Sequence, residues 1–217
     1  MIVVFAKAPA PGHAKTRLIP SLGAWGAARL QARLTAAAVR TARAARCGPV
    51  ELHVTVRHAL YDGDVQIQRG DDLGERMYRA MARGLRRHRA VILIGTDCPA
   101  LRPADLRRAA RLLAGACDAV LAPVEDGGYA LIGLKRAKRE LFEGIAWGGP
   151  HVYADTVKKL AGYRWRALRT LWDVDRPEDL ERLRALRLPS AGRPGARRSR
   201  GSRARSGGSD RTSGSRP

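Results

Sequence analysis

Aromatic residues make up only 5% of the 217-residue chain, so its core has to be assembled mainly from Ala, Val, Leu and Ile. Cysteine is equally scarce. Cys47, Cys98 and Cys117 are odd in number, form no Cys-x-x-Cys pair and have no histidine at ligand spacing. That pattern excludes a disulfide framework and a zinc finger, and points to reduced thiols in the cytoplasm. No apolar run approaches the ~20 residues of a membrane span. Met1 leads directly into a short apolar run with no basic segment or cleavage-like site, so a soluble protein without a signal peptide is expected. Acidic residues are the remaining shortage, with 20 Asp+Glu against 41 Lys+Arg and a formal charge of +21.

Such a charge invites a nucleic-acid reading, which weakens once the charge is located. From Pro189 onward the chain is Ser, Gly, Arg and Pro with almost no apolar residue, and its eight Arg and one Asp carry +7 of the +21. A segment of that composition cannot bury enough surface to offset its ordering entropy. Residues 189–217 are therefore expected to be a disordered tail, and residues 1–188 a single domain. The tail reads either as a dispensable extension or as a weak, non-specific contact for nucleic acid or an anionic surface. In the body, Arg29, Arg33, Arg40 and Arg43 lie on a helix-like segment, where a solvated face accounts for them.

Apolar runs of strand length recur at Ile2–Ala6, Val50–Val56, Val91–Gly95, Ala119–Ala122, Ala130–Leu134 and Trp165–Leu171. Helix-length segments separate them at Gly23–Arg46, Leu73–His88, Pro103–Leu113, Lys135–Glu143, Val152–Ala161 and Pro177–Leu186. This alternation predicts an α/β layer fold with a largely parallel sheet, whose ligands bind beyond the carboxyl ends of the strands.

Four loops carry unusual chemistry. The first, Lys7-Ala-Pro-Ala-Pro-Gly-His-Ala-Lys-Thr-Arg17, directly follows a buried strand. Pro9 and Pro11 restrict its backbone and Gly12 permits close approach, so Lys7, Lys15 and Arg17 can form an arc for phosphate. The Gly-x-x-Lys-Thr spacing is not that of a Walker A loop, which excludes a P-loop NTPase. In the second, Gly95-Thr-Asp-Cys-Pro-Ala-Leu101, Asp97 stands at a strand's carboxyl end, where it can ligate a divalent cation or cap a turn. In the third, Asp126, Gly127, Gly128 and Tyr129 form either a tight hairpin or a place where backbone N–H groups approach a ligand. In the fourth, Asp173-Val-Asp175 precedes a helix start, and either carboxylate can join Asp97 around a cation, with Asp175 the preferred ligand and also a potential helix cap. Separately, Asp72 and Glu75 have the spacing of a capping box, with Gly74 able to admit a base or ribose. His13 and His151 receive no role.

Taken in order, these loops resemble the bacterial glycosyltransferase-A-like family whose opening reads F-A-K-x-P-x-P-G-x-x-K-T-R-L, here Phe5 to Leu18. The matching segments continue at Gln68–Met77, Ile94–Leu101, Pro123–Leu134 and Asp173–Leu180, spanning residues 1 to about 188. That family is similar to nucleotide-diphosphate-sugar transferases and to the guanylyltransferases of 2-phospholactate and molybdenum-cofactor synthesis. The resemblance implies a three-layer α/β/α sandwich with a mostly parallel mixed sheet, a Mg2+ or Mn2+ ion and a nucleotide-activated donor. It also implies that Lys7, Lys15 and Arg17 face the donor phosphates and that Asp97 and Asp175, with Asp173, hold the metal. Lys15, Asp97 and Asp175 become the candidate catalytic set. Lys7, Pro11, Gly12, Arg17, Gly74, Asp126, Gly127, Gly128 and Tyr129 complete the nucleotide and substrate site. Where the family commonly has Trp-Ser-Thr, this chain has Trp147-Gly148-Gly149, so a hydroxyl that would meet the acceptor or a phosphate is missing.

The activity implied is a metal-dependent glycosyltransferase acting on a small-molecule acceptor. The alternative is a nucleotidyltransferase joining a nucleoside triphosphate to a phosphorylated small molecule. A third reading, a basic nucleic-acid-binding protein on an inactive transferase scaffold, lacks an aromatic stacking platform or helix-turn-helix signature.

Overall fold

A computed structural model describes residues 1–59, 61 and 65–186. The expected tail, residues 189–217, lies outside the described residues. Seven strands form one sheet: β1 (Ile2–Ala6), β2 (Val50–Val54), β3 (Val65–Ile67), β4 (Val91–Ile94), β5 (Ala119–Pro123), β6 (Tyr129–Leu134) and β7 (Trp165–Ala167). Their order is β3-β2-β1-β4-β6-β5-β7. All neighbours are parallel except β6, which runs antiparallel to β4 and β5. The helices are α1 (Ile19–Ala45), α2 (Leu73–Leu85), α3 (Pro103–Ala114), α4 (Val152–Lys159) and α5 (Asp179–Ala185).

The unbroken apolar runs of β1 and β4 follow from burial on both faces. Along β1, Ile2, Val4 and Ala6 join a core that includes Val39 and Ala42 of α1 and Leu106 and Leu113 of α3. Val3 and Phe5 alternate to the other face, against Met77, Ala80 and Met81 of α2 and Leu160 at the end of α4. The result is the three-layer α/β/α sandwich with a mostly parallel mixed sheet. Each such Val, Ile or Leu removed from water contributes roughly 1.5–3 kcal/mol. A third cluster, of Leu18, Leu30, Leu34, Val174 and Leu183, docks α5 and the segment before it onto α1. It brings the last acidic loop beside the first basic one.

Four elements depart most from expectation. Lys135–Glu143 is not a helix; only a 3-10 turn, Arg139–Leu141, forms there. Its buried apolar residues, Leu141 and Phe142, stand together at one end and offer no helical stripe to the core. The expected strand Trp165–Leu171 is confined to β7, and Leu171 makes an isolated parallel bridge to Val124. The three-residue strand β3 is too short to produce a visible alternation. Helix α1 begins four residues early, across a kink at Gly23, whose φ of 70° and ψ of 163° are non-helical. Among the described residues no helix is long and apolar enough to cross a membrane.

Candidate active site

The first loop is folded inward rather than displayed. Ala14 is fully buried, and Lys15 follows it in the left-handed conformation with φ 50° and ψ 47°. This geometry sends the Lys15 side chain, 4% exposed, under the loop. Its Nζ donates to the Val174 carbonyl at 2.6 Å and pairs with Asp97 Oδ1 at 2.9 Å. The Val174 N–H in turn donates to the Asp97 carbonyl at 2.8 Å. Three loops distant in sequence are thereby tied at one point, with the Val174 side chain anchored in the third apolar cluster.

Around this knot lies a cavity of about 530 Å³ beyond the carboxyl ends of β1 and β4. Asp97, Asp126 and Asp173 border it, as does Lys7. Asp97 Oδ1 is occupied by Lys15 and, at 3.3 Å, by the Thr96 hydroxyl, which leaves Oδ2 without a partner among the described residues. Asp126 closes its own turn, its Oδ1 accepting from the Gly128 N–H at 2.8 Å. The hairpin role and the cavity position thus coexist. Burial, and the carboxylates of Asp126 and Asp97 nearby, push the Asp173 carboxyl up to about 6, with Lys15 pulling the other way.

The expected arc of three cations is not what the loop presents. Lys15 is inside, and the Arg17 guanidinium donates to Asp175 Oδ2. Lys7 borders the cavity and makes no ion pair or side-chain hydrogen bond among the described residues. Asp175, the preferred metal ligand by sequence, is held by Arg17 outside the cavity wall, whereas Asp173 is on it. Nor does Asp175 cap the following helix: the Asp179 carboxylate receives the N–H groups of Asp175 and Arg176 at 2.9 and 2.7 Å.

Two glycines are explained by protein packing rather than by a ligand. A Cβ on Gly74 would stand 2.4 Å from the Phe142 carbonyl and 2.6 Å from Trp147 Nε1, so no base or ribose fits against it. A Cβ on Gly127, which has φ 87°, would stand 1.9 Å from the Pro150 carbonyl. Gly12 also has positive φ, and it and Pro11 shape the loop without bordering the cavity. Gly128 and Tyr129 do border it. Burial pushes the Tyr129 phenol upward, so it remains protonated. Half of the expected capping box forms: Asp72 Oδ1 accepts from the Glu75 N–H at 2.8 Å, but Glu75 accepts from the N–H of Asp71, one residue before the cap, at 2.9 Å.

The apolar wall was less visible in advance. Trp147 and Tyr129 meet edge-on at 6.4 Å, beside Met77, and Gly148 and Gly149 continue that wall. Arg76, one turn into α2, also borders the cavity, its Nε donating to the Gly70 carbonyl at 2.8 Å. The Gly-Glu-Arg-Met run of α2 already contained it. Gln31, buried in the middle of α1, carried no sequence signal at all. Cys98 borders the cavity with its thiol pushed up to about 12 by burial, so it is not a thiolate at neutral pH.

Among the described residues no three His, Cys, Asp or Glu side chains form a group able to hold a metal by themselves. The crowding of Asp173 by two other carboxylates nevertheless suits a cation, and Mg2+ characteristically takes one or two carboxylates and completes its shell with water and ligand phosphates. The donor set therefore fits a cation that arrives with a phosphate ligand.

No curated protein matches the chain. Among solved structures, a provisionally assigned nucleotide-diphospho-sugar transferase from Desulfovibrio desulfuricans G20 is 32% identical, with 84% of each chain covered and a TM-score of 0.76. The manganese complex of Rv0371c from Mycobacterium tuberculosis H37Rv shares the fold at 21% identity and a TM-score of 0.54, covering 84% of this chain and 96% of that one. A nucleotidyl transferase from Methanothermobacter does so at 20% identity and a TM-score of 0.54, with coverage of 85% and 96%. Residues 27–149 match the model of the family described as "Uncharacterized protein conserved in bacteria (DUF2064)". The chain belongs to the DUF2064 family and has the α/β fold of nucleotide-diphospho-sugar transferase structures.

Proposed function

We propose that the protein is a divalent-metal-dependent transferase that uses a nucleotide-activated sugar. One observation carries this reading: Asp97 and Asp173 face the same cavity as the unpaired ammonium of Lys7, at the sheet edge where α/β folds bind ligands. The likeness to the Desulfovibrio protein supports it.

Asp97 and Asp173 would hold Mg2+ or Mn2+, with Asp126 close by. The bound cation would offset the charge of the donor diphosphate and of the leaving nucleoside diphosphate. Lys7, on the wall of the same cavity, would contact a phosphate oxygen. Lys15 acts as a positioning residue, fixing Asp97 against Val174. Trp147 and Tyr129 present an apolar wall to a sugar or acceptor ring, and Asp126 accepts from its hydroxyls. In the reaction, an acceptor hydroxyl oxygen forms the bond to the anomeric carbon as the bond to the diphosphate oxygen breaks, and the hydroxyl proton passes to solvent. Catalysis rests on positioning and on electrostatic stabilisation of the departing phosphates.

The same groups would serve nucleotidyl transfer, in which an acceptor phosphate attacks the α-phosphorus and pyrophosphate leaves. The aromatic wall serves either reaction, since a base, a sugar or an acceptor can lie against it. Incubation with sugar nucleotides and with nucleoside triphosphates, with small-molecule acceptors and Mn2+, separates the two. Nucleoside diphosphate released from a sugar nucleotide supports the proposal. Pyrophosphate released from a triphosphate overturns it in favour of nucleotidyl transfer.

A further inference from the structure

Gln31 is 2% exposed and borders the cavity from the α1 side, between Thr96 and Thr35. Its amide Nε2 lies 3.0 Å from Thr96 Oγ1 and 3.3 Å from Thr35 Oγ1. Counting protons fixes which way the amide points. The Thr35 hydroxyl gives its one proton to the Gln31 main-chain carbonyl at 2.9 Å, a group that can only accept. The Thr96 hydroxyl gives its proton to the Asp97 carboxylate. The Tyr61 hydroxyl stands 3.0 Å from Thr35 Oγ1 and 3.2 Å from the Lys7 carbonyl, and donates within that network. With their own protons spent, both threonine hydroxyls present lone pairs to Gln31, so the side of its amide facing them must be the NH2 group. The other side, the carbonyl Oε1, accepts nothing among the described residues.

Oε1 is not among the buried polar atoms left without a partner, so it opens onto the cavity, where water completes it until a ligand takes that place. We infer that Gln31 Oε1 is a specificity-determining subsite for an uncharged N–H or O–H donor of the bound nucleotide, supplied by its base or by its sugar. The inference rests on the nucleotide reading above. Such an acceptor discriminates, because an analogue lacking the donor displaces the water from Oε1 and leaves it unpaired. The Thr96 link also joins this subsite to Asp97, so recognition and the proposed cation site share one hydrogen-bonded chain.

The test is calorimetric titration of the full-length protein, in Mn2+, with GTP, ATP, CTP and UTP. The tightest binder is then compared with analogues lacking single donors. Base analogues such as ITP in place of GTP form one arm, and 2′-deoxy and 3′-deoxy nucleotides form the other. In the wild type, loss of the donor that Gln31 reads weakens binding about tenfold. In Gln31→Met the same loss costs less than about twofold, because the partner is already gone. The arm in which this coupling appears identifies the donor as base or sugar. If every analogue loses affinity equally in both proteins, the subsite is overturned while nucleotide binding stands. If neither these triphosphates nor the corresponding sugar nucleotides bind the wild type, the functional reading itself fails.

Should Gln31→Met not fold, the wild type still decides. The chain has only three glutamines, Gln31, Gln66 and Gln68, so side-chain 13C labelling of glutamine gives three assignable carbonyl signals. The Gln31 signal shifts with the full nucleotide and not with the donor-deleted analogue. An identical response to both would refute the inference.

Discussion

At the scale of single residues, Asp173 is the most exacting test of the site. Its carboxyl is raised to about 6, from about 3.9 in an unfolded chain, by burial and two neighbouring carboxylates. The folded state therefore holds this proton more tightly than the unfolded one. The resulting contribution to stability is present below about pH 4 and is lost as pH rises through 6. Asp173→Asn removes the charge penalty, and is expected to gain ~0.5–1 kcal/mol at pH 7.5, discounted for solvent at this half-buried group, and nothing at pH 4. Urea denaturation at the two pH values measures this; an equal effect at both would contradict the account. In the wild type, Mn2+ affinity should fall as pH drops through 6, where the proton competes with the cation. Lys15→Met deprives the Val174 carbonyl and Asp97 of their partner and should cost about 1–3 kcal/mol in the same denaturation experiment. The sequence made Lys15 and Asp97 legible as important residues but not as partners of each other. Their contact depends on a left-handed φ at Lys15 and on a segment 159 residues away. Which of Asp173 and Asp175 borders the cavity was equally out of reach, because Arg17 holds Asp175 aside.

Elements were read with more success, and the failures have physical reasons. Strands β1 and β4, buried on both faces, announce themselves as continuous apolar runs, and α2 and α3 by their start signals and amphipathic faces. The edge strand β3 has three residues and only partial burial, so neither period nor composition marks it, while β7 keeps only the first three residues of the expected Trp165–Leu171. Residues 135–143 have the length and charge of a helix but no apolar stripe, and length alone misled. Gly74 shows how an element's interior can be misread: its lack of a side chain makes room for Trp147 and Phe142, not for a ligand. Gly74→Ala should therefore push Trp147 off the cavity wall at a cost of about 1–3 kcal/mol. Tryptophan fluorescence and the thermal midpoint report both effects, and an unchanged midpoint would mean that the wall gives way freely.

For the whole molecule, the sheet's order places β1 and β4 side by side at its centre, so their two following loops meet over one cavity. The third apolar cluster then carries the 173–175 segment to the same place. The formal charge of +21 is a separate matter, since +7 of it belongs to residues after Leu188. Arg29, Arg33, Arg40 and Arg43 are exposed along α1, away from its buried stripe. Truncation after Leu188 should weaken low-salt affinity for nucleic acid and flatten its salt dependence, as judged by filter binding at two ionic strengths, while leaving nucleotide binding intact. Sequence-selective binding that survives truncation would instead favour a nucleic-acid role for the domain.

The central claim is that Asp97 and Asp173 bind a nucleotide's phosphates through a divalent cation, with Lys7 in the same cavity. Calorimetric titration of sugar nucleotides and nucleoside triphosphates, with Mn2+ and after its removal by chelation, tests it most directly. The account predicts binding that requires the cation, is lost in Asp97→Asn and is weakened about tenfold or more in Lys7→Met. Nucleotide binding of equal strength without metal, or undiminished in Asp97→Asn, would contradict it.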